Sequence, residues 1–520
     1  MSRRRALLPL GATAVLLAGL IGHAVWSHPR AAVDARPAGR KPTIRPDYAG
    51  VVIPPNIAPL NFTVLEPGEA YFVRISAPAG RAIDVHSESP AIVIPPRPWR
   101  RLLEANRGRA IRLDVHTRDE AGAWRRFAPV VQTVAREPID GTLAYRLIRP
   151  LYNAYMNVGV YQRDLTSYDE SPVVHGRLFS NGCVNCHTFC NQRPDRMLVH
   201  VRGQAGVAML LVHGGNVTRV DTRTKYNPSP ASYSSWHPSG RFLTFSANRL
   251  KQFMHAVGET REVFDSASDL GCYDVERHAV RSSRHITRGE RLETFPTWSP
   301  DGRWLYFCAA PKTPVERYRQ VKYDLMRIGY DPSSQAWGRT EMVLSASQTG
   351  RSITEPRVSP DGRYVMVTMA EYGSFPIYRP DSDLVLLDLA TRQWRRLPEP
   401  VNSPRCESWH SWSSNGRWFV FSSKRRDGLF AKPHFSYFDT SGQAHKPFVL
   451  PQEDPDFYES FLRTYNVPEL VRGRIKPGPR EFARALLAGP GDGKAQAVSG
   501  ATAAMQRSGD GAPGPDRTAP

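Results

Sequence analysis

The sequence predicts an all-β protein. A β-propeller of about six blades, with five to seven possible, follows a small β-sandwich domain and a short helical segment. Three observations carry this. Four segments share one pattern of anchor, turn, arginine and apolar strand: Trp236-His-Pro-Ser-Gly-Arg-Phe-Leu-Thr-Phe245, Trp298-Ser-Pro-Asp-Gly-Arg-Trp-Leu-Tyr-Phe307, Val358-Ser-Pro-Asp-Gly-Arg-Tyr-Val-Met-Val367 and Trp412-Ser-Ser-Asn-Gly-Arg-Trp-Phe-Val-Phe421. Their glycines recur at 240, 302, 362 and 416, spacings of 62, 60 and 54. Such self-similarity marks a repeat architecture. Further strands follow each turn, such as Asp383–Leu389 and then Gln393–Leu397. Strand, turn, strand, loop and strand in each unit is the signature of a propeller blade.

The elements follow in order. Arg3, Arg4 and Arg5 precede Ala6 to Trp26, which holds no charged residue. This reads as an export signal. No clean small-x-small cleavage site follows, and the run is long enough to span a bilayer, which favours an uncleaved anchor in the inner membrane. The arginines then stay inside and the rest of the chain is periplasmic or extracytoplasmic. Residues 27–47 form a Pro/Arg-rich linker. Residues 48–140 alternate short apolar runs with proline and glycine, as an antiparallel β-sandwich does. One helical piece, Pro98 to Asn106, interrupts it.

From 141 the period changes. Ala144, Ile148, Leu151, Tyr155 and Gly159 fall near helical spacing, with Pro150 set to kink the helix. This segment runs to 194, and the propeller occupies 195–475. Met197 to Thr224 supplies strands of a fifth blade. Asp454-Pro455 opens a C-terminal helix with Phe457, Phe461, Leu462 and Tyr465 on its apolar face. Residues 476–520 are a tail, disordered from Gly489 by composition. The Asp and Gly of each turn shape the turn, so Asp301 and Asp361 are structural.

Cys183-Val184-Asn185-Cys186-His187 is a C-x-x-C-H pentapeptide, the pattern of a c-type haem attachment site. Two thiols three positions apart can each bond one vinyl group, and the adjacent imidazole then holds the iron. With 6 cysteines and 15 histidines in 520 residues, on the order of 0.002 chance matches to this pattern are expected. One covalent haem c per chain is therefore expected, on Cys183 and Cys186, with His187 as proximal ligand. Other readings compete. A zinc site needs four ligands, which Cys183, Cys186, His187 and Cys190 supply. An iron–sulfur site lacks a fourth local cysteine, and a thioredoxin-like pair would want an α/β unit. His200 and Met197 lead as distal ligand, with His237 and His255 behind them; an open sixth position is the alternative. Cys190, Cys272, Cys308 and Cys406 remain, as two disulfides or as four buried thiols.

The repeats resemble those of TolB-type (WD-like) β-propellers, with W-S-P-D-G-R at Trp298 to Arg303 and S-P-D-G-R at Ser359 to Arg363. That resemblance implies a propeller over about 195 to 450. The whole arrangement resembles bacterial envelope proteins that join a cytochrome c motif to a TolB-like propeller, over roughly 45 to 475, and implies no substrate. TolB-type propellers also occur fused to α/β-hydrolase peptidases, but no G-x-S-x-G elbow is present. Nor is there a P-loop, a dinucleotide fingerprint or an H-E-x-x-H helix. The net charge of +20, in an exported chain, points to anionic lipid headgroups or an acidic protein partner. No dense basic run with interleaved aromatics lies beyond the n-region, so nucleic acid is not expected. Glu407-Ser-Trp-His410-Ser-Trp packs two tryptophans around a histidine. It reads as a blade anchor or as a channel-facing cluster near haem.

The expectation is an exported monohaem c-type cytochrome that exchanges electrons with an envelope redox partner. The alternatives are a haem-dependent redox enzyme or sensor with an open axial site, and a non-haem TolB-like interaction scaffold.

Overall fold

A computed structural model describes residues 35–148, 158–178, 180–203, 206–224, 231–253, 262–488 and 496–497. The N-terminal export segment and His255 lie outside these residues. Among the described residues no helix is long and apolar enough to cross a membrane.

The propeller is built from antiparallel sheets, each led by an inner strand. The inner strands are β1 (Cys183–Phe189), β2 (Ala231–Trp236), β3 (Arg291–Trp298), β4 (Ser352–Val358), β5 (Glu407–Trp412) and β6 (Thr464–Val471). Strands β1 to β5 each start a run of sequential antiparallel partners. β6 is different: it pairs with Thr142–Ile148, which continues to Gly159–Asp164 and Glu170–His175. The last strand of the propeller thus completes a sheet begun by much earlier chain. The inner strands touch in the order β1, β2, β3, β4, β5, β6 and back to β1, which closes a ring.

The expected helix around 141–161 is replaced by the strands Thr142–Ile148 and Gly159–Asp164. The first is buried on both faces for most of its length. Such a strand shows no polar alternation, so its apolar spacing is open to misreading. The same holds for β6, seven of whose eight residues are buried. The C-terminal helix expected after Asp454 is one short turn, Phe457–Ser460. In the expected tail, Pro479–Leu487 forms a helix that buries Phe482 and Leu486. In the expected linker, Arg36–Pro37 and Ile44–Arg45 are strands.

The Gly-containing turns are built alike. Gly302, Gly362 and Gly416 have φ of 70°, 72° and 65°, where a Cβ is disfavoured. Ser299 Oγ donates to Asp301 Oδ1 at 2.5 Å and accepts from the Trp304 N–H at 3.0 Å. The turns at Ser359/Asp361 and Ser413/Asn415 repeat this wiring.

Every inner strand also carries a β-bulge. The register slips between Val184 and His187, Ser232 and Ser235, Thr294 and Thr297, Thr354 and Arg357, and Ser408 and Ser411. In β6 two residues, Val467 and Pro468, stand between Asn466 and Glu469, against one residue on the partner strand. Five bulges hold a non-glycine residue at positive φ: Tyr233 (41°), Phe295 (51°), Glu355 (52°), Trp409 (49°) and Val467 (47°). Bulges bend a strand and re-aim its side chains. Here they turn successive residues toward the axis of the ring.

The N-terminal unit holds a seven-stranded and a three-stranded sheet. The helix Pro96–Ala105 packs Trp99, Leu102 and Leu103 against them. Its core runs without interruption into the sheet of β5, through Trp418, Val420, Phe435 and Phe448. Trp418 Nε1 donates to the Glu137 carbonyl at 3.1 Å, and Tyr437 O–H donates to Glu137 Oε2 at 2.9 Å.

Candidate functional site

The C-x-x-C-H residues lie on β1, an inner strand of the ring. The bulge aligns Val184-Asn-Cys-His-Thr188 with Ser232-Tyr-Ser-Ser-Trp236, Thr294-Phe-Pro-Thr-Trp298, Thr354-Glu-Pro-Arg-Val358, Ser408-Trp-His-Ser-Trp412 and Asn466-Val-Pro-Glu-Leu470. The motif therefore takes the place of the axial stretch of a blade. In each sequence-recognised repeat this stretch is the four residues before the anchor and the anchor itself, with no residue type shared by all. There Cys186 stands where two sequence-recognised repeats, and also β6, have proline.

Cys186 and His187 border a small axial cavity of about 30 Å³, room for about one water. Tyr233, Phe295, Glu355, Arg357, Trp409 and His410 share it. The aromatic rings fill the axis, with Tyr233 and Phe295 centroids 4.3 Å apart and Trp409 6.1 Å from each. Glu355 ties two inner strands: its Oε2 accepts from the Trp409 N–H at 2.7 Å and from Thr368 Oγ1 at 2.9 Å. Burial raises this carboxyl to about 7, against the pull of those bonds and of Arg357.

His187 is 2% exposed, and neither of its ring nitrogens has a hydrogen-bond partner. Burial lowers its pKa to about 3, helped by Arg146 and Arg357, so the imidazole is neutral. The backbone at Ala144 lies near enough to offset part of this, without a bond of normal geometry. Cys183 is buried and Cys186 half-buried; both are free thiols. Burial raises the Cys186 thiol, while Arg146 and Arg202 act the other way. Arg146 Nη2 lies 3.7 Å from Cys183 Sγ. With its amide oxygen turned toward Arg202, Asn185 accepts from Nε and Nη2 at 2.9 and 3.0 Å.

The other expected ligands are placed elsewhere. β1 pairs His187 with Val199 and Val184 with Val201. His200, between those valines, points to the opposite face of the sheet. It too is buried without a partner for either nitrogen, against Met209, Val220 and Ala231. Met197 is fully buried in the apolar cluster of Val184, Val199 and Val201. His237 is held structurally, with Nδ1 2.8 Å from Ser239 Oγ and Nε2 3.1 Å from the Gly302 carbonyl. The histidine that shares a cavity with His187 is His410, whose Nε2 lies 2.9 Å from the Met366 carbonyl. The Glu407–Trp412 cluster is thus both a blade anchor and channel-facing.

All six cysteines are free. Cys190 lies beyond the end of β1, with Sγ 3.7 Å from the His237 carbonyl. The four ligands of a zinc site are not brought together. Among the described residues no three Cys, His, Asp or Glu side chains converge as a metal site.

The donors fit a covalent haem: two free thiols, and a buried neutral imidazole with both nitrogens orphaned. The space in this arrangement is smaller than a porphyrin requires, since pockets for ligands of that class run to about 300–1,000 Å³. A loaded protein must move side chains on the axis, Tyr233, Phe295 and Trp409 first among them.

A larger funnel of about 530 Å³ opens at the turn-bearing ends of the inner strands. Sequence reasoning missed Arg357 and Glu469, which stand on its wall at the repeat position that His187 holds in β1. Burial pushes the Glu469 carboxyl up to about 7, with Arg357 opposing.

No family model matches the chain, and no curated protein matches it. Among solved structures, prolyl oligopeptidase B from Galerina marginata is similar at 11% identity, over 65% of this chain and 42% of that one, with a TM-score of 0.34. The periplasmic gluconolactonase of Pseudomonas aeruginosa is similar at 15% identity, over 60% and 97%, with a TM-score of 0.29. An oligogalacturonate lyase in complex with manganese is similar at 10% identity, over 75% and 99%, with a TM-score of 0.28. The chain thus spans less than half the length of the prolyl oligopeptidase.

Proposed function

We propose that this chain is an exported monohaem c-type cytochrome that transfers electrons to or from an envelope partner. The observation that carries the reading is His187: a buried imidazole with no hydrogen bond, one residue after the second of two free thiols. A buried polar group without a partner is costly, and an iron ligand is a role that would satisfy one of its nitrogens. In this reading Cys183 and Cys186 hold the group and His187 is its proximal ligand. The bound group supplies one-electron redox chemistry. Arg146 and Arg202 would offer positive charge to its carboxylates. The +20 net charge favours an acidic redox partner, and the N-terminal segment ties the chain to the membrane. His410 is the candidate distal ligand because it shares the axial cavity, whereas His200 lies on the opposite face of the sheet and Met197 is sealed in an apolar cluster.

The test is the absorption spectrum of the reduced pyridine adduct after expression with a c-type haem maturation system. A covalent c-type signal is expected, and Cys183→Ala/Cys186→Ala should abolish it. Folded protein without that signal would leave the propeller as an interaction scaffold. In the loaded protein His410→Ala should convert low-spin to high-spin absorption if His410 is the sixth ligand. An unchanged low-spin spectrum would exclude His410 as that ligand.

A further inference from the structure

The axial funnel adjoins the cavity of the thiols and shares Arg357 with it, but the rest of its wall has a chemistry of its own. Inner-strand residues reach it from all six sheets, including Thr188, Ser235, Thr297, Arg357, Ser411 and Glu469. Three blade-anchor tryptophans stand around it, but they are not equivalent. Trp298 Nε1 donates to Thr244 Oγ1 at 3.0 Å, and Trp412 Nε1 donates to the Arg357 carbonyl at 3.1 Å. Trp236 Nε1 is buried and has no acceptor among the described residues, and the residue is only 8% exposed. Glu469, also 8% exposed, leaves Oε1 without a donor. The Arg357 guanidinium has no hydrogen bond or ion pair among the described residues, with only longer-range attraction to Glu355 and Glu469. Ser235 Oγ accepts from the Trp298 N–H and Ser411 Oγ from the Leu470 N–H, each at 3.3 Å. Both hydroxyls keep their hydrogens to donate.

A mostly apolar pocket with a few unsatisfied polar groups is the usual form of a small-molecule site. This one is wetter: its wall carries a guanidinium and serine hydroxyls, and Trp236 and Glu469 each hold an unpartnered polar atom just beneath it. Unpaired buried groups cost free energy that a ligand recovers. The guanidinium matches a carboxylate. The orphan carboxyl oxygen needs a donor, which a hydroxyl supplies and a bare inorganic anion such as phosphate at neutral pH supplies less well. We propose that the funnel binds a small hydroxylated carboxylate, with Arg357 on its carboxylate, Glu469 on a hydroxyl, and Trp236, Ser235 and Ser411 donating to its remaining oxygens. The site goes beyond the proposed haem, with Arg357 as the one residue, among the described residues, that borders both cavities.

Calorimetric titration of the full exported chain tests this, in wild type and in Cys183→Ala/Cys186→Ala. The probes are tartrate and D-glucuronate; succinate, glucose and inorganic phosphate are the comparators. Saturable one-to-one binding of at least one probe at about 1 mM or tighter is expected, equal in both proteins. Arg357→Gln should weaken it at least about tenfold, as loss of a charge-assisted pair does. Trp236→Phe keeps an aromatic ring but removes the indole N–H, and should weaken it about threefold or more. Near-UV circular dichroism confirms that each variant is folded. Silence of both probes on folded protein overturns the proposal. So does succinate or glucose binding as tightly as the probes, or binding of phosphate alone.

Discussion

Buried titratable residues of opposite kinds face the axis and the spaces between sheets. Burial holds His187, His200 and His410 near a pKa of about 3. Between pH 3 and their unfolded value near 6.5 the folded protein binds fewer protons than the unfolded one, so these groups make stability rise with pH. Burial raises Glu293 to about 8, and Glu355 and Glu469 to about 7. From about pH 4.5 up to those values the folded protein binds more protons, so these groups make stability fall as pH rises. The two sets oppose each other between about pH 4.5 and 6.5. His434, which burial lowers well below its ordinary value, adds to the first set; Asp265 and Glu407, both raised by burial, add to the second. For the haem-free protein, urea midpoints measured across this range should peak in that window. They should fall steeply on the acid side, by up to about 4 kcal/mol per pH unit for three unmatched histidines, and more gently above neutrality. A maximum near pH 8 would contradict the neutral state of the buried carboxyls. Glu355→Gln keeps an acceptor for the Trp409 N–H, and its advantage over wild type should grow from about pH 4.5 to about pH 7 and level off above that.

The repeated turn offers a test at the scale of one element. Gly302 and Gly362 share nearly the same φ, 70° and 72°, but differ in surroundings. A Cβ on Gly362 would meet nothing closer than Pro300 Cδ at 4.0 Å, whereas one on Gly302 would lie 2.3 Å from His237 Nε2. That imidazole is pinned by Ser239 and the Gly302 carbonyl. Gly362→Ala should cost about 1–2 kcal/mol from the left-handed backbone. Gly302→Ala should cost about 1–3 kcal/mol more, as overpacking does; equal thermal shifts would mean that His237 yields freely. These turns were legible in sequence because the Asp-Gly and Asn-Gly pairs and the Ser two residues before each Asp or Asn have local chemistry. The bulges upstream were not, since their residues differ from blade to blade: tyrosine, phenylalanine, glutamate, tryptophan and valine all adopt positive φ there. So the haem motif, readable as chemistry from Cys183, Cys186 and His187, was not readable as the axial stretch of a blade. His200 seemed a near neighbour by number; one residue of strand alternation sends it to the other face.

Across the whole molecule, the N-terminal unit and the propeller share one apolar core through the sheet of β5. Calorimetric unfolding should show one cooperative transition. Tyr437→Phe, which removes the bond to Glu137, should lower it without splitting it; two separated transitions would show that the shared core is too weak to couple them. The ring closes with β6, 322 residues after the Thr142 strand it joins, since that strand begins at 142 and β6 begins at 464. Synthesis runs from the N-terminus, so the flank of β1 that faces β6 stays open until nearly the whole chain has emerged. Order of manufacture therefore gives Cys183, Cys186 and His187 an interval of accessibility that the finished molecule no longer offers. A chain cut before residue 464 should keep Cys183 reactive to a maleimide reagent, while the 520-residue chain buries it.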